Sequence, residues 1–208
     1  KLYEAEIRYL DAQLKYLFDF VQKSELLDHT MVIITSDHGE YLGERRRLDH
    51  MAGVYEPLVN VPMIIRYPTL FPSGKKVAHL VQTSDLFGTI LRVSGVEFDP
   101  GESVAWRDLT QWASPVAWPG WAVAEQLEDQ NVRLCLPSDE QNGEAAQTII
   151  RAIRHGSWKY IVGEPTGAEL YDPQADPLES SNLSALQEDI TRDLDRNLDE
   201  WLHHANTM

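Results

Sequence analysis

The feature that most constrains the fold is a short apolar run that ends abruptly in polar and charged side chains. The stretch "MVIIT", residues 31–35, is apolar on both faces, which is typical of a strand covered on both sides in a parallel sheet. It leads through one serine into Asp37, His38 and Gly39. In open α/β sheets the ligand site lies beyond the carboxyl ends of the strands. The sequence therefore predicts a strand that delivers a carboxylate and an imidazole to a ligand site.

Two interpretations of this pair follow from the residues alone. A carboxylate oxygen and an imidazole nitrogen make half of a cation site when the backbone leaves the strand geometry that would place neighbouring side chains on opposite faces. Gly39 favours such a turn. In the other interpretation, Asp37 is a loop residue that accepts backbone N–H bonds, and His38 is simply exposed. The spacing leaves both interpretations open.

The flanking patterns indicate the rest of an α/β layer. Residues 2–22 carry apolar side chains every three or four positions, as in a one-sided helix. A second strand is predicted at "VPMIIRY", residues 61–67, and a helix over 83–95, which has a Thr or Ser N-cap and a glycine stop. Strand, loop, strand and helix predict part of a doubly wound, mainly parallel sheet, which we assign to residues 1–97.

The composition changes near Phe98, where a second part of the chain begins. Tryptophans, prolines and acidic residues up to about residue 144 predict a loop-rich start with an edge strand. Residues 147–164 predict a β-hairpin with its turn at Gly156, and a further short strand follows. Apolar spacing over 183–201 predicts a final amphipathic helix. Residues 98–208 are therefore expected to form a small antiparallel sheet with a packed C-terminal helix.

Charge and composition exclude some classes of function. The formal net charge is -15, which argues against a protein that binds nucleic-acid phosphates through a basic face. No apolar run approaches the roughly 20 residues that cross a bilayer, so no membrane span is predicted. The single cysteine, Cys135, cannot form an internal disulfide and does not identify the compartment. Cytoplasm and periplasm both remain open.

Six segments, in this order, resemble a known family. They are residues 3–21, 28–44, 55–68, 80–91, 152–161 and 169–183, the second containing "SDHGEYLGE" and the last reading "ELYDPQADPLESSNL". In this order they resemble the C-terminal half of the type I sulfatases, which belong to the alkaline phosphatase superfamily. The resemblance implies an alkaline phosphatase-like fold. It also implies a hydrolase that cleaves sulfate esters at a divalent cation, usually Ca²⁺.

The resemblance also implies roles for individual residues. The aspartate and the following residue of the strand-end motif are metal ligands in the family, which assigns this role to Asp37 and His38. A basic residue after the "LGE" loop holds the sulfate, and here His50 is the first candidate, with Arg46 and Arg47 behind it. The family's nucleophile is a formylglycine hydrate made within a Cys/Ser-x-Pro-x-Arg motif, and this sequence contains no match to that motif.

Cys135 only imitates the start of the nucleophile motif. In "CLPSDE", residues 135–140, Asp139 stands where the family has arginine, and an aspartate would oppose the anion that the arginine stabilises. We therefore expect Cys135 to be structural and the nucleophile to come from outside these residues. The 208 residues alone are predicted to be inactive, and an unpaired sheet edge is predicted to favour oligomers.

Two alternatives remain open. Ca²⁺ prefers oxygen donors, whereas imidazole suits Mn²⁺ or Zn²⁺, so the Asp-His pair also fits the phosphonate monoester hydrolases and phosphodiesterases of the superfamily. In the second alternative the chain is a non-catalytic, sulfatase-derived scaffold whose acidic surface and tryptophans bind a partner. The expected ligand of the main interpretation is a sulfate ester. Its alcohol, whether carbohydrate, aryl or alkyl, is not indicated by the sequence.

Overall fold

The structure is a computed structural model that describes residues 2–50, 53–97, 107–114, 120–126, 149–163 and 167–206. Cys135 and the rest of residues 135–140 lie outside the described part. Internal contacts group the chain into two compact units: residues 1–35 with 62–76, and residues 36–61 with 77–208. The division between residues 97 and 98, which we infer from composition, stays a prediction.

The described part contains four α-helices and eight strands. The helices are α1 (Leu2–Lys23), α2 (Glu56–Val59), α3 (Asp85–Val93) and α4 (Glu188–Asn206). The strands are β1 (Val32–Thr35), β2 (Tyr41–Leu42), β3 (Leu48–Asp49), β4 (Met63–Arg66), β5 (Trp121–Gln126), β6 (Ile150–His155), β7 (Trp158–Gly163) and β8 (Gly167–Tyr171). The predicted helices α1, α3 and α4 are confirmed, as are strands β1, β4 and β8 and the β6–β7 hairpin.

The first unit contains α1, β1 and β4. Strands β1 and β4 pair with each other antiparallel, with Ile33 opposite Ile65, whereas the sequence predicted two strands of a parallel sheet. An apolar run indicates that a strand avoids water on both faces, but it carries no information on the direction of its neighbour. Residues 32–34 are only half-buried, and α1 buries none of its residues within the described chain. No helix in the described ranges is both long and apolar enough to cross a membrane.

The second unit is built on an antiparallel sheet with the order β5-β6-β7-β8. Side chains alternate between the two faces of this sheet. One face packs against α4 in a cluster formed by Ile153, Tyr160, Leu170, Leu194 and Leu198. The opposite face packs against the segment of residues 41–58 in a cluster formed by Tyr41, Val54, Tyr55, Leu58, Ala152, Ile161 and Tyr171. The sheet therefore supports the segment that follows the predicted ligand motif.

Candidate active site

Asp37 and His38 turn their side chains toward each other. The Oδ2 atom of Asp37 lies 3.9 Å from Nε2 of His38, although neighbouring residues of a strand would point to opposite faces. Asp37 Oδ1 also accepts the backbone N–H of His38 at 2.9 Å. This hydrogen bond is the largest of the interactions that hold the pKa of Asp37 below its ordinary value of 3.8. The first contact is the one expected of a cation site, and the second is the one expected of a loop aspartate.

The tautomer of His38 follows from its other ring nitrogen. Nδ1 lies 2.9 Å from the carbonyl oxygen of Gly39, and a carbonyl can only accept, so Nδ1 carries the hydrogen in this contact. In the neutral ring, which is the form that binds a metal ion, Nε2 then carries the lone pair, on the side that faces Asp37. A backbone carbonyl that orients the imidazole in this way is a common companion of histidine metal ligands.

A short hairpin returns the chain to this pair. Strands β2 and β3 place Tyr41 opposite Asp49 and Leu42 opposite Leu48, so the flanking residues Glu40 and His50 lie side by side. Nδ1 of His50 is 3.0 Å from Oε1 of Glu40. The His50 ring stacks on the His38 ring, with 4.4 Å between the ring centroids. The predicted sulfate contact and a predicted metal ligand are therefore neighbours.

Glu40 joins the two histidines in one cluster. His38, Glu40 and His50 each offer a donor atom, and these atoms lie within 4.8 Å of one another. The side chains of His38 and His50 are 44% and 43% exposed, so a ligand can reach them from solvent. The sequence analysis missed Glu40. The His-x-Glu spacing in residues 38–40 was the available signal, but a strand of two residues is too short for periodicity to show the hairpin.

The three arginines of the β2–β3 turn have different surroundings. Arg46 is exposed, with a positive φ of 58°, and the Arg47 guanidinium lies 5.9 Å from the ring centroid of Tyr41. Arg45, which the sequence analysis did not single out, lies 3.7 Å above the ring of Tyr55 and anchors the turn. A sulfate-binding role for Arg46 or Arg47 stays a prediction.

The turn that carries the motif is pressed against α2. The backbone N–H of Gly39 donates to the carbonyl of Leu58 at 2.8 Å. A Cβ atom on residue 39 would lie 2.0 Å from the carbonyl oxygen of Pro57, closer than any real contact. Gly39 does not have a left-handed φ, so the glycine is required for this close approach and not for the turn conformation expected from the sequence.

Sequence comparison relates the chain to known hydrolases. A family model described as Sulfatase matches residues 1–96. The choline-sulfatase of Rhizobium meliloti (strain 1021) is 30% identical over 187 residues, which are 88% of this chain and 33% of that protein. The chain thus spans about a third of the length of the curated relatives that it matches. The resemblance inferred from the six segments is confirmed.

Solved structures share the fold. A protein solved in complex with its substrate D-glucosamine-2-N,6-O-disulfate matches with a TM-score of 0.79 and 24% identity, covering 97% of this chain and 40% of the other. The phosphonate monoester hydrolase of Agrobacterium radiobacter matches with a TM-score of 0.73 and 22% identity, covering 95% and 40%. These likenesses confirm the predicted fold class, an α/β part followed by a small antiparallel sheet and a C-terminal helix.

Proposed function

We propose that this chain, a relative of the type I sulfatases, is the part of a sulfuric ester hydrolase that supplies Asp37 and His38 to a divalent cation and His50 to the sulfate. The observation that carries the proposal is the convergence of Asp37 Oδ2 and His38 Nε2, 3.9 Å apart, beside the stacked ring of His50. A scaffold that only binds a partner has no physical need for this arrangement. The sulfatase relatives support hydrolysis over a purely structural role.

The donor set fits a divalent cation. The side chains of Asp37 and His38 are both accessible to solvent. Because Nδ1 of His38 is engaged by the carbonyl of Gly39, Nε2 is the ring nitrogen that can bind a cation. A cation held by Asp37 and His38 would polarise the sulfate oxygens and stabilise the charge that develops in the transition state. Ca²⁺ is the first candidate because of the family, and Mn²⁺ or Zn²⁺ are the alternatives because one donor is an imidazole.

His50 is held in place by two carboxylates. Its Nδ1 contacts Asp49 Oδ1 at 2.6 Å and Glu40 Oε1 at 3.0 Å, so the orientation of the ring is fixed from one side. These carboxylates would repel a sulfate that approached His50 without a compensating positive charge. We therefore expect the cation and the sulfate ester to bind cooperatively, each strengthening the binding of the other.

One experiment separates the cation ligands from the sulfate contact. In the intact protein, Asp37→Asn and His38→Ala should weaken cation binding and lower turnover of an aryl sulfate by orders of magnitude, because Lewis-acid stabilisation amounts to several kcal/mol. His50→Ala should leave the metal content unchanged and lower kcat/KM. Asp189→Asn, on the exposed surface of α4, is the matched control and should change neither quantity. Wild-type metal content and rate in both ligand variants would exclude the assignment.

A second candidate function is hydrolysis of phosphonate monoesters. It is supported by the imidazole donor and by the fold that the chain shares with the Agrobacterium radiobacter enzyme. The test is a comparison of kcat/KM for an aryl sulfate and for the matching aryl phosphonate monoester. We expect the sulfate to be the better substrate. A preference for the phosphonate would reverse the order of the two candidates while leaving the cation site in place.

A further inference from the structure

We propose that Glu179 is a positioning residue for the candidate cation site and that it acts through the backbone of Glu56 and the side chain of Arg45. The inference rests on the proposed function, since it concerns the site at Asp37 and His38. Glu179 lies outside that site, in the irregular segment between β8 and α4, and its side chain is completely buried. The chemistry proposed for Asp37, His38 and His50 does not use this buried carboxylate.

Glu179 contacts three elements that surround the segment carrying the site. Its Oε2 accepts the backbone N–H of Glu56, the first residue of α2, at 2.7 Å. Its Oε1 lies 2.8 Å from Nζ of Lys159, a buried residue of β7. Its backbone carbonyl accepts from the Arg45 guanidinium at 2.6 Å. One residue thus joins the sheet, α2 and the β2–β3 turn.

The first chain of contacts leads from Glu179 through α2 to the metal motif at residues 37–39. Lys159 also lies 3.1 Å from Glu56 Oε1, so α2 is fixed at its first residue by a side chain and by its backbone. The same short helix presents the Leu58 carbonyl that binds the Gly39 amide and the Pro57 carbonyl that leaves no room for a Cβ. A displacement of α2 must therefore move the residue that directly follows His38.

The second chain of contacts leads from Glu179 through Arg45 to the β2–β3 hairpin, which carries His50. The Arg45 guanidinium lies between Tyr55, at 3.7 Å from the ring centroid, and the backbone of Glu179. Arg45, Arg46 and Asp49 all have positive φ values, a conformation that non-glycine residues hold only when their surroundings impose it. The anchored side chain of Arg45 is an interaction that can impose it.

The backbone of Glu179 is itself constrained, which suits a fixed support. It adopts a φ of 51°, and its N–H donates to the Asp176 carbonyl at 3.0 Å. The next two amides, those of Ser180 and Ser181, donate to the Asp176 carboxylate. Residues in such strained conformations cluster where a precise arrangement is needed.

A second buried ion pair in the same unit provides the matched comparison. Arg107 and Asp85 are 3.0 Å apart, and both are buried. The Asp85 carboxylate accepts the backbone N–H groups of Gln82 and Arg107. The Arg107 guanidinium donates to the backbone carbonyls of Leu80 and Trp121. These partners belong to neither the β2–β3 hairpin nor α2. A variant of this pair should cost stability without moving the cation ligands. A difference between the two pairs therefore separates positioning from a general loss of folding.

The experiment compares Glu179→Ala, Glu179→Gln and Asp85→Asn in the intact protein, with Ca²⁺ and Mn²⁺ as the titrated ligands. Glutamine keeps an acceptor for the Glu56 amide but loses the charge opposite Lys159, whereas alanine loses both. We expect cation affinity to fall by about tenfold or more in Glu179→Ala, as for other residues that orient metal ligands, and by less in Glu179→Gln. Saturating cation should restore much of the turnover of Glu179→Gln. Asp85→Asn should lower the thermal midpoint and leave cation affinity unchanged.

The outcomes distinguish the two proposals. Unchanged cation affinity in both Glu179 variants, with weakened affinity in Asp37→Asn, would overturn the positioning role and leave the proposed function standing. Unchanged affinity in Asp37→Asn would instead overturn the proposed function. An equal loss of affinity in Asp85→Asn would also overturn the positioning role, because any destabilised fold would then suffice. If Glu179→Ala does not fold, the comparison of Glu179→Gln with Asp85→Asn decides in the same way.

Discussion

At residue 39 even a single methyl group would prevent the chain from packing against α2 as it does. The distance of 2.0 Å from a built Cβ to the Pro57 carbonyl leaves no room for any side chain. The obstructing atom belongs to the backbone of α2, so it cannot swing away as the end of a flexible side chain would. The identity of this residue therefore controls how closely the metal motif approaches its support.

Gly39→Ala should destabilise the fold by about 1–3 kcal/mol, the usual cost of overpacking, and should weaken cation binding. Urea unfolding and calorimetric titration with Ca²⁺ measure the two effects. Gly95→Ala is the control, because Gly95 has a φ of 71° and nothing within 4 Å of its built Cβ. It should cost about 1 kcal/mol through backbone strain and leave cation affinity intact. Equal cation affinities in the two variants would contradict the prediction.

Residues of the candidate site differ in how far the sequence could predict them. Asp37 and His38 follow β1 after a single serine, so the local pattern was enough to single them out. Glu40 and His50 are ten positions apart and meet only because of a hairpin too short to show a period. Glu56 and Glu179 are separated by 123 positions, and no local rule connects a buried carboxylate to an amide at that distance. Their contact is decided by tertiary packing.

At the scale of elements, long periodic patterns were predicted well and strand partners were not. Helix α4 and the β6–β7 hairpin follow from local periodicity and a turn glycine with φ 58° at Gly156. The direction of β4 beside β1 does not, because an apolar strand looks the same in parallel and antiparallel pairs. The edge position of β5 agrees with the edge strand predicted for the tryptophan-rich part of the chain.

Helix α4 should contribute to stability through its buried stripe. Leu198 is 1% exposed in the cluster between α4 and the sheet, so Leu198→Ala should lower the free energy of unfolding by about 2–5 kcal/mol. Leu186, which precedes the helix and is 76% exposed, provides a control with the same chemical change. Leu186→Ala should stay within about 0.5 kcal/mol of wild type. Chemical denaturation of both variants checks the prediction, and similar losses would refute the packing of α4.

At the scale of the whole molecule, the central sheet of the second unit has two tasks. One face packs against α4 and the other supports residues 41–58, which carry Arg45 and His50. The first unit exposes apolar side chains along α1, including Ile7, Leu10, Leu17 and Phe20, each at least 50% exposed. Apolar surface of this extent favours association with another protein surface.

These 208 residues, produced alone, should not hydrolyse sulfate esters and should form oligomers. The sequence contains no Cys/Ser-x-Pro-x-Arg motif, and two ligands from one turn cannot offset the dehydration of a hard cation that takes six or more oxygens. Assays with Ca²⁺ and then Mn²⁺, on an aryl sulfate and an aryl phosphonate ester, test the first point. Gel filtration tests the second. Metal-dependent turnover that is abolished by Cys135→Ala would show that "CLPSDE" supplies a nucleophile after all.

The long separation in sequence between Glu179 and its partners also affects the order in which the chain can fold during synthesis. Ribosomes add about 5–20 residues per second, so the acceptor of the Glu56 amide is synthesised roughly 6–25 s after Glu56 itself. The acceptor of the Arg45 guanidinium belongs to the same residue, which lies 134 positions after Arg45 and is therefore synthesised roughly 7–27 s later than Arg45. Throughout that interval the residues of the hairpin and of α2 are on the nascent chain without their contacts to Glu179. The motif that begins at Asp37 is therefore synthesised early. It can reach its final arrangement only after β8 and the segment that follows it, which contains Glu179, have been synthesised.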